Sequence, residues 1–467
     1  MTEQALPIPC LLELADDPAL PALVDGEGSM TRGDLWAAVI DRAAAIADTV
    51  GPDHRVMLAD TADRAALVNV LGAVVAGRSL AMVPHDPGTD VTALAAAARC
   101  AVALRGDELE PLQVPDDVDE ATDPRYGTGA TGSTEALLLY TSGTTSLPRG
   151  VRLSHRNVVS NLTAMLRITP PWDSKDRFGM VLALTHSFGL SMTMLALTRR
   201  TPVVLLGGGL PSRSLAARFD DDQVTVLACV PYYLRLLVRR GLHLGGDFGH
   251  HVSTLYLAGG GISDDELGQV LPRFTGERFL MYGFTEATAR VAVRRAGDGA
   301  PANSVGLPLP GSHVEIVTPD GAVLPPGAEG HIRIDSPSLM IGYLGEEPRA
   351  AGTPFTTTDL GHLDDYGHLF VTGREAEMLN FRGNRVSAVV VEAAVSRIEG
   401  VLDARLVPDA RDEDAQCLLR VVARDDADHG AIRRQVLRTV EPKGMVREVE
   451  FVDQLETTRS GKPLRRV

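Results

Sequence analysis

The stretch Leu137–Val151, LLLYTSGTTSLPRGV, runs from a short apolar segment into a loop of hydroxyl side chains around Gly143. Leu137 to Tyr140 reads as a buried strand. A Ser/Thr/Gly loop is by default a linker, but glycines let backbone N–H groups converge on one point. The hydroxyls of Thr141, Ser142, Thr144 and Thr145 then add donors that suit phosphate oxygens, and Arg149 adds a permanent positive charge. The P-loop pattern G-x-x-x-x-G-K-[ST] does not fit, because Gly143 leads into TTSLPRG and Gly150 is followed by Val151 and Arg152. Pro148 biases Leu147 away from helix. RGVRL therefore continues as strand, and a helix begins only after Ser154, the N-cap of HRNVVSNLTAMLRI. Any phosphate is expected in a loop between two strands.

Outward from this loop, short apolar runs alternate with helical stretches as far as about residue 260. RVMLAD (55–60), SLAMVP (79–84), ALLLYT (136–141), PVVLLG (202–207), VTVLACV (224–230) and STLYLAGG (253–260) are expected strands. DLWAAVIDRAAAIADTV (34–50) and ADRAALVNVLGAVVAG (62–77) are expected helices. This is an α/β pattern with a parallel-rich sheet. From about residue 303 the runs shorten between Pro and Gly (HVEIV, EGHIRID, GHLFVTG), which predicts an antiparallel β subdomain over about 303–374. Residues 375–467, with SAVVVEAAVSRIEG, LLRVVAR and REVEFVD, predict a small C-terminal α+β domain beside a large N-terminal domain of residues 1–374.

A chain of 467 residues favours more than one domain. A formal net charge of −16 would repel a polyanion, so nucleic acid is not the expected partner. Cys10, Cys100, Cys229 and Cys417 lie far apart, without the spacing of a zinc or redox motif, and read as reduced thiols of a cytoplasmic protein. No secretion signal is expected from the N-terminal sequence. Phe178–Thr198 carries no charge and is long enough to span a membrane. Its hydroxyls, His186 and two glycines favour instead a strand, a loop and a helix inside a large core.

With these motifs in place, the sequence resembles the adenylate-forming enzymes, a family that includes acyl-CoA synthetases, stand-alone adenylation domains and luciferases. YTSGTTSLPRGV (140–151) is similar to the family's Y-T-S-G-T-T-G-x-P-K-G-V, with Ser146 in place of Gly and Arg149 in place of Lys. ALTHSFGL (183–190), LAGGGIS (257–263), YGFTE (282–286), NSVGLPLPG (303–311), TTDLGHLDDYGHLFVTGR (357–374) and SGKPLRR (460–466) follow in the family's order, over nearly the whole chain.

The resemblance implies ATP and Mg²⁺ as cofactors. The loop would clamp the β- and γ-phosphates, with Tyr282 stacked on adenine, Gly260 and Gly261 approaching its other side, and Thr285 donating to the α-phosphate. Glu286 would ligate Mg²⁺, a hard ion that pairs a carboxylate with substrate phosphate oxygens. Asp359 and Arg374 would hold the ribose. His186, Ser187, Met281 and Gly283 would line the pocket for a small carboxylic acid. Ser187 stands where enzymes for α-amino acids carry an aspartate, so an ammonium there would have no partner. Met281, often glycine in the family, would shorten that pocket. Lys462 would be the catalytic cation bridging carboxylate and phosphate. Outside the family, Tyr282 and His186 would read as core residues, Asp359 and Arg374 as surface charges, and Lys462 as a basic tail.

The departures fall near the expected hinge. Ala376 stands where the family has Asp or Lys, Asn380 where it has Lys, and Thr358 where it has Gly. The expected reaction is formation of acyl-AMP and pyrophosphate, then transfer to the phosphopantetheine thiol of CoA or of an acyl carrier protein. The chain is short for the family, which suits a specialised biosynthetic enzyme. Two rivals stay open: transfer to an amine or activation of another oxyanion, and a nucleotide-binding relative without turnover. Glu286, Arg374 and Lys462 argue against the last.

Overall fold

The structure is a computed structural model, and it describes residues 8, 16–59, 62–83, 90–113, 133–141, 148–207, 212–350, 352–375, 378–381, 384–408, 416–424 and 426–455. Two large sheets carry its bulk. One has seven strands, in the order Gly342–Tyr343, Gly150–Ser154, Glu135–Tyr140, Leu80–Val83, Arg55–Ala59, Cys100–Arg105 and Glu108–Pro111. Its centre is parallel and its edges antiparallel. The other has nine strands, with a parallel centre built from Pro21–Asp25, Val203–Leu205, Phe178–Met180, Val226–Cys229, Thr254–Leu257 and Glu277–Tyr282.

One apolar core contains residues from both sheets and from the helices Arg32–Thr49, Arg64–Val75, His155–Ile168 and Ser187–Thr198. Arg64–Val75 packs against the seven-stranded sheet and the helix Arg32–Thr49, and Ser187–Thr198 against the nine-stranded sheet and the helix His155–Ile168, which leaves neither a wide solvated face. Arg64–Val75 and Ser187–Thr198 are accordingly apolar almost all round. The uncharged segment 178–198 resolves into the strand Phe178–Met180 and the helix Ser187–Thr198, as its hydroxyls implied. No helix among the described residues is long and apolar enough to cross a membrane.

The strand Gly150–Ser154 returns antiparallel to Glu135–Tyr140, pairing Tyr140 with Gly150. Ser154 caps the next helix in a reciprocal box with Asn157. Beyond the sheets, four antiparallel strands lie in the order His313–Val317, Gly330–Asp335, Phe355–Leu363, Leu369–Arg374. Near the C-terminus the helices Ala388–Ser396 and His429–Thr439 pack with the strands Val401–Pro408, Cys417–Ala423 and Val446–Phe451. Arg239 bridges from its helix to Asp403 (3.0 Å) and to the Leu402 carbonyl (3.2 Å).

A buried carboxylate ties the seven-stranded sheet together. Glu135 accepts from Arg55 Nε (2.8 Å), Arg152 Nε (2.7 Å) and Ser79 Oγ (2.5 Å). These groups sit on or beside four successive strands of the sheet.

Candidate active site

The signature loop is pinned at its neck. Thr141 N donates to the Arg149 carbonyl (3.0 Å), and Arg149 N donates to Thr141 Oγ1 (3.4 Å). Ser142, Gly143, Thr144 and Thr145 lie outside the described residues, as do Ala376 and Lys462. The Arg149 guanidinium lies 3.3 Å above the centre of the Tyr343 ring and pairs with Glu346 (2.5 Å). A cation over an aromatic face and beside a carboxylate is held in one orientation.

Tyr343 connects the loop to the expected metal residue. Its hydroxyl donates to Glu286 Oε1 at 2.8 Å, and burial together with the Glu286 carboxylate pushes its ionisation up. Tyr343 is thus a fixed donor that orients Glu286. It had no place among the expected site residues, because a lone aromatic after a glycine carries no signal until the strand Gly342–Tyr343 is seen pairing with Gly150–Ser154. Glu286 Oε2 has no partner among the described residues, where no cluster of three or more His, Cys, Asp or Glu forms a metal cage. One available carboxylate oxygen fits Mg²⁺, which keeps water and substrate phosphate oxygens in its shell, better than an ion that needs an all-protein site.

The turn carrying Glu286 is strained. After Thr285–Ala287, Thr288 (φ 54°) and Ala289 (φ 85°) both occupy the left-handed region. The Thr288 hydroxyl holds the turn to the Ser338 carbonyl (2.6 Å), and Met340 N donates to the Glu286 carbonyl (2.8 Å). Gly283 is required here: a Cβ would collide with the Ala289 carbonyl and with Arg290 Cα.

A second group lies at the end of the strand Glu277–Tyr282. The Tyr282 hydroxyl donates to Asp359 Oδ2 (2.7 Å), and Arg374 Nε donates to Asp359 Oδ1 (2.7 Å). Asp359 and Arg374 face each other across adjacent strands. Burial, and then the Asp359 carboxylate, raises the Tyr282 hydroxyl well above its ordinary range, so it stays a donor. Asp359→Ala would strand that buried hydroxyl, and we expect it to destabilise the fold by about 1–3 kcal/mol in urea unfolding. Tyr282→Phe, which removes only the donor, should cost about 1 kcal/mol.

Gly260 and Gly261 are exposed beyond the strand Thr254–Leu257. His186 is the N-cap residue of the helix Ser187–Thr198, and Ser187 begins that helix. Met281 is buried in the core that this helix shares. The structure therefore brings Thr141, Arg149, Tyr343 and Glu286 into one chain of contacts, and Tyr282, Asp359 and Arg374 into another.

The family model described as AMP-binding enzyme matches residues 13–344. A rice protein (Oryza sativa subsp. japonica) named 4-coumarate--CoA ligase-like 9 is 28% identical over 346 residues, covering 70% of this chain. That match spans only 62% of the rice protein's length. Among solved structures, O-succinylbenzoate coenzyme A synthetase of Bacillus subtilis, in complex with ATP and magnesium ion, superposes with a TM-score of 0.79 at 21% identity. It covers 97% of this chain and 98% of its own. An amide bond synthetase of Marinactinospora thermotolerans gives 0.79 at 23% identity, over 98% of this chain and 97% of its own. These likenesses extend the shared fold over nearly the full length.

Proposed function

The chain belongs to the AMP-binding enzyme family, and from that premise we propose that it activates a carboxylic acid with ATP. In this reaction a carboxylate oxygen attacks the α-phosphorus, the bond to the bridging oxygen breaks, and pyrophosphate leaves as acyl-AMP forms. The acyl group then passes to the phosphopantetheine thiol of CoA or of an acyl carrier protein, releasing AMP. The name of the rice relative, a CoA ligase-like protein, supports a thiol acceptor.

The observation that carries the reading is the linkage Arg149–Tyr343–Glu286. It sets a cation from the neck of the signature loop over the face of one aromatic ring, whose hydroxyl holds a carboxylate with an available oxygen. Such a pair suits a polyphosphate: the guanidinium binds its oxygens directly. Mg²⁺, when held by Glu286, neutralises phosphate charge and polarises the α-phosphorus. Asp359 and Arg374 hold the ribose, Tyr282 stands against the base, and Gly260 and Gly261 let the backbone approach it. Thr285 donates to the α-phosphate. His186, Ser187, Met281 and Gly283 line the acid pocket, where Ser187 disfavours an α-amino acid. Residues 375–467 act as a lid that turns about Ala376 and delivers Lys462.

A carboxylate labelled with heavy oxygen tests the route of attack. One label should appear in AMP and none in pyrophosphate. Production of ADP and phosphate, or AMP without label, contradicts attack of the acid on the α-phosphorus.

A further inference from the structure

Arg290 is a buried cation without an acid to answer it. The residue is 1% exposed. Nη1 donates to Asn161 Oδ1 (3.2 Å) and Nη2 to Ser191 Oγ (2.8 Å), both neutral groups, while Nε has no partner. Among the described residues no carboxylate pairs with it. Arg55 and Arg152, equally buried, share Glu135, and Arg294 holds Asp264. Burial pushes the Arg290 guanidinium down to about 9, against a smaller opposing effect of Tyr256.

Beyond those two neutral acceptors, its surroundings supply donors. Trp172 Nε1 and the Tyr256 hydroxyl are both buried, their rings meet edge to face at 5.4 Å, and the indole N–H faces the Tyr256 oxygen, which leaves the Tyr256 proton to donate elsewhere. Tyr256 is close enough to perturb Arg290 electrostatically. The guanidinium is also fixed in place. Ser191 Oγ gives its own proton to the Phe188 carbonyl (3.1 Å), and the Asn161 amide donates to the Arg290 carbonyl (2.9 Å). A pre-set fork with idle N–H groups matches the planar geometry of a carboxylate.

Position joins this group to the acid pocket. Arg290 Cα packs against Gly283, and Ser191 lies one turn along the same helix from Ser187, where side chains share a face about 5–6 Å apart. A buried charge is tolerated when another group compensates it, and here that group is absent from the described residues. On the adenylation reading above, we propose that Arg290 receives a second carboxylate of the substrate, with the Tyr256 hydroxyl as a further donor, so that the acid is a short dicarboxylic acid.

The test is ATP–pyrophosphate exchange with short linear and benzene dicarboxylic acids, each beside its monomethyl ester. The ester keeps the reacting carboxylate and removes the second charge. At least one diacid should exceed its ester in kcat/KM by roughly a hundredfold or more. Arg290→Met should erase that preference while esters are still adenylated, and Arg290→Lys should retain part of it. Esters equal to or better than their diacids, or a preference unchanged in Arg290→Met, overturn the proposal. The wild-type ratio decides even if the variants fail to fold. Exchange confined to monocarboxylic acids overturns this proposal alone, whereas no exchange with any acid overturns the adenylation reading and this proposal with it.

Discussion

Lys462→Ala should reduce acyl-AMP formation by at least about 10²–10³-fold while leaving ATP binding within a few-fold of the wild type. The reason is the charge on the reactants: a carboxylate approaching a polyphosphate brings two anions together, and the repulsion peaks as the new bond forms. In the proposed role Lys462 would act mainly in that transition state, so its loss should fall on kcat rather than on nucleotide affinity. Single-turnover detection of acyl-AMP, beside equilibrium ATP binding, separates the two. Unchanged adenylation in the variant refutes the assignment; a parallel loss of ATP binding would make Lys462 a ground-state contact instead.

The largest expected effect on stability is at Glu135. Glu135→Ala leaves Arg55 and Arg152, both fully buried, without their shared carboxylate. Breaking a buried pair by removing one partner costs about 3–5 kcal/mol, a large part of the net stability of an ordinary domain. Replacing all three charges together, as Arg55→Met, Glu135→Leu and Arg152→Met, should recover most of that loss, because no charge is left stranded. Urea unfolding of the single and triple variants tests this, and equal losses in both would contradict it.

The same network predicts a pH dependence. Burial alone would raise the Glu135 carboxyl, but the Arg55 and Arg152 guanidiniums outweigh it and hold the group down at about 2. A folded-state value below the unfolded one gives stability that is fully present above about 4.5 and is lost as the pH falls from there through about 2. His155 acts in the same direction at higher pH. Burial lowers its imidazole from 6.5 to about 4, so its contribution fades as the pH falls through that interval. Stability measured against pH should therefore fall in two stages on the acid side.

The sequence made the fold legible where short apolar runs alternate with helices. Five of the six expected strands contain an observed one, the sixth (136–141) is displaced by one residue from Glu135–Tyr140, and the capped helix starts at His155 as Ser154 implied. The alternation nevertheless stopped at residue 260, so the strand Glu277–Tyr282 was not anticipated. ERFLMY opens with two charged residues, and pairing with Thr254–Leu257, which is not local, makes it a strand. The hairpin Pro21–Asp25 with Gly28–Thr31 escaped for the same reason: neither strand is long enough to show a period.

At the site, family motifs pointed to Tyr282, Glu286, Asp359 and Arg374. They did not point to Tyr343 or Arg290. Charged and lone aromatic residues read as surface or core by default, and only tertiary placement distinguishes Arg290, sealed beside neutral partners, from Arg294, which is neutralised by Asp264.

Acid-dependent exchange of labelled pyrophosphate into ATP measures the proposed first half-reaction by itself, before any acceptor takes part. Label should enter ATP only when a suitable carboxylic acid is present, and at a rate that saturates with that acid. Binding of ATP without exchange, across linear and aromatic mono- and dicarboxylic acids, would contradict it.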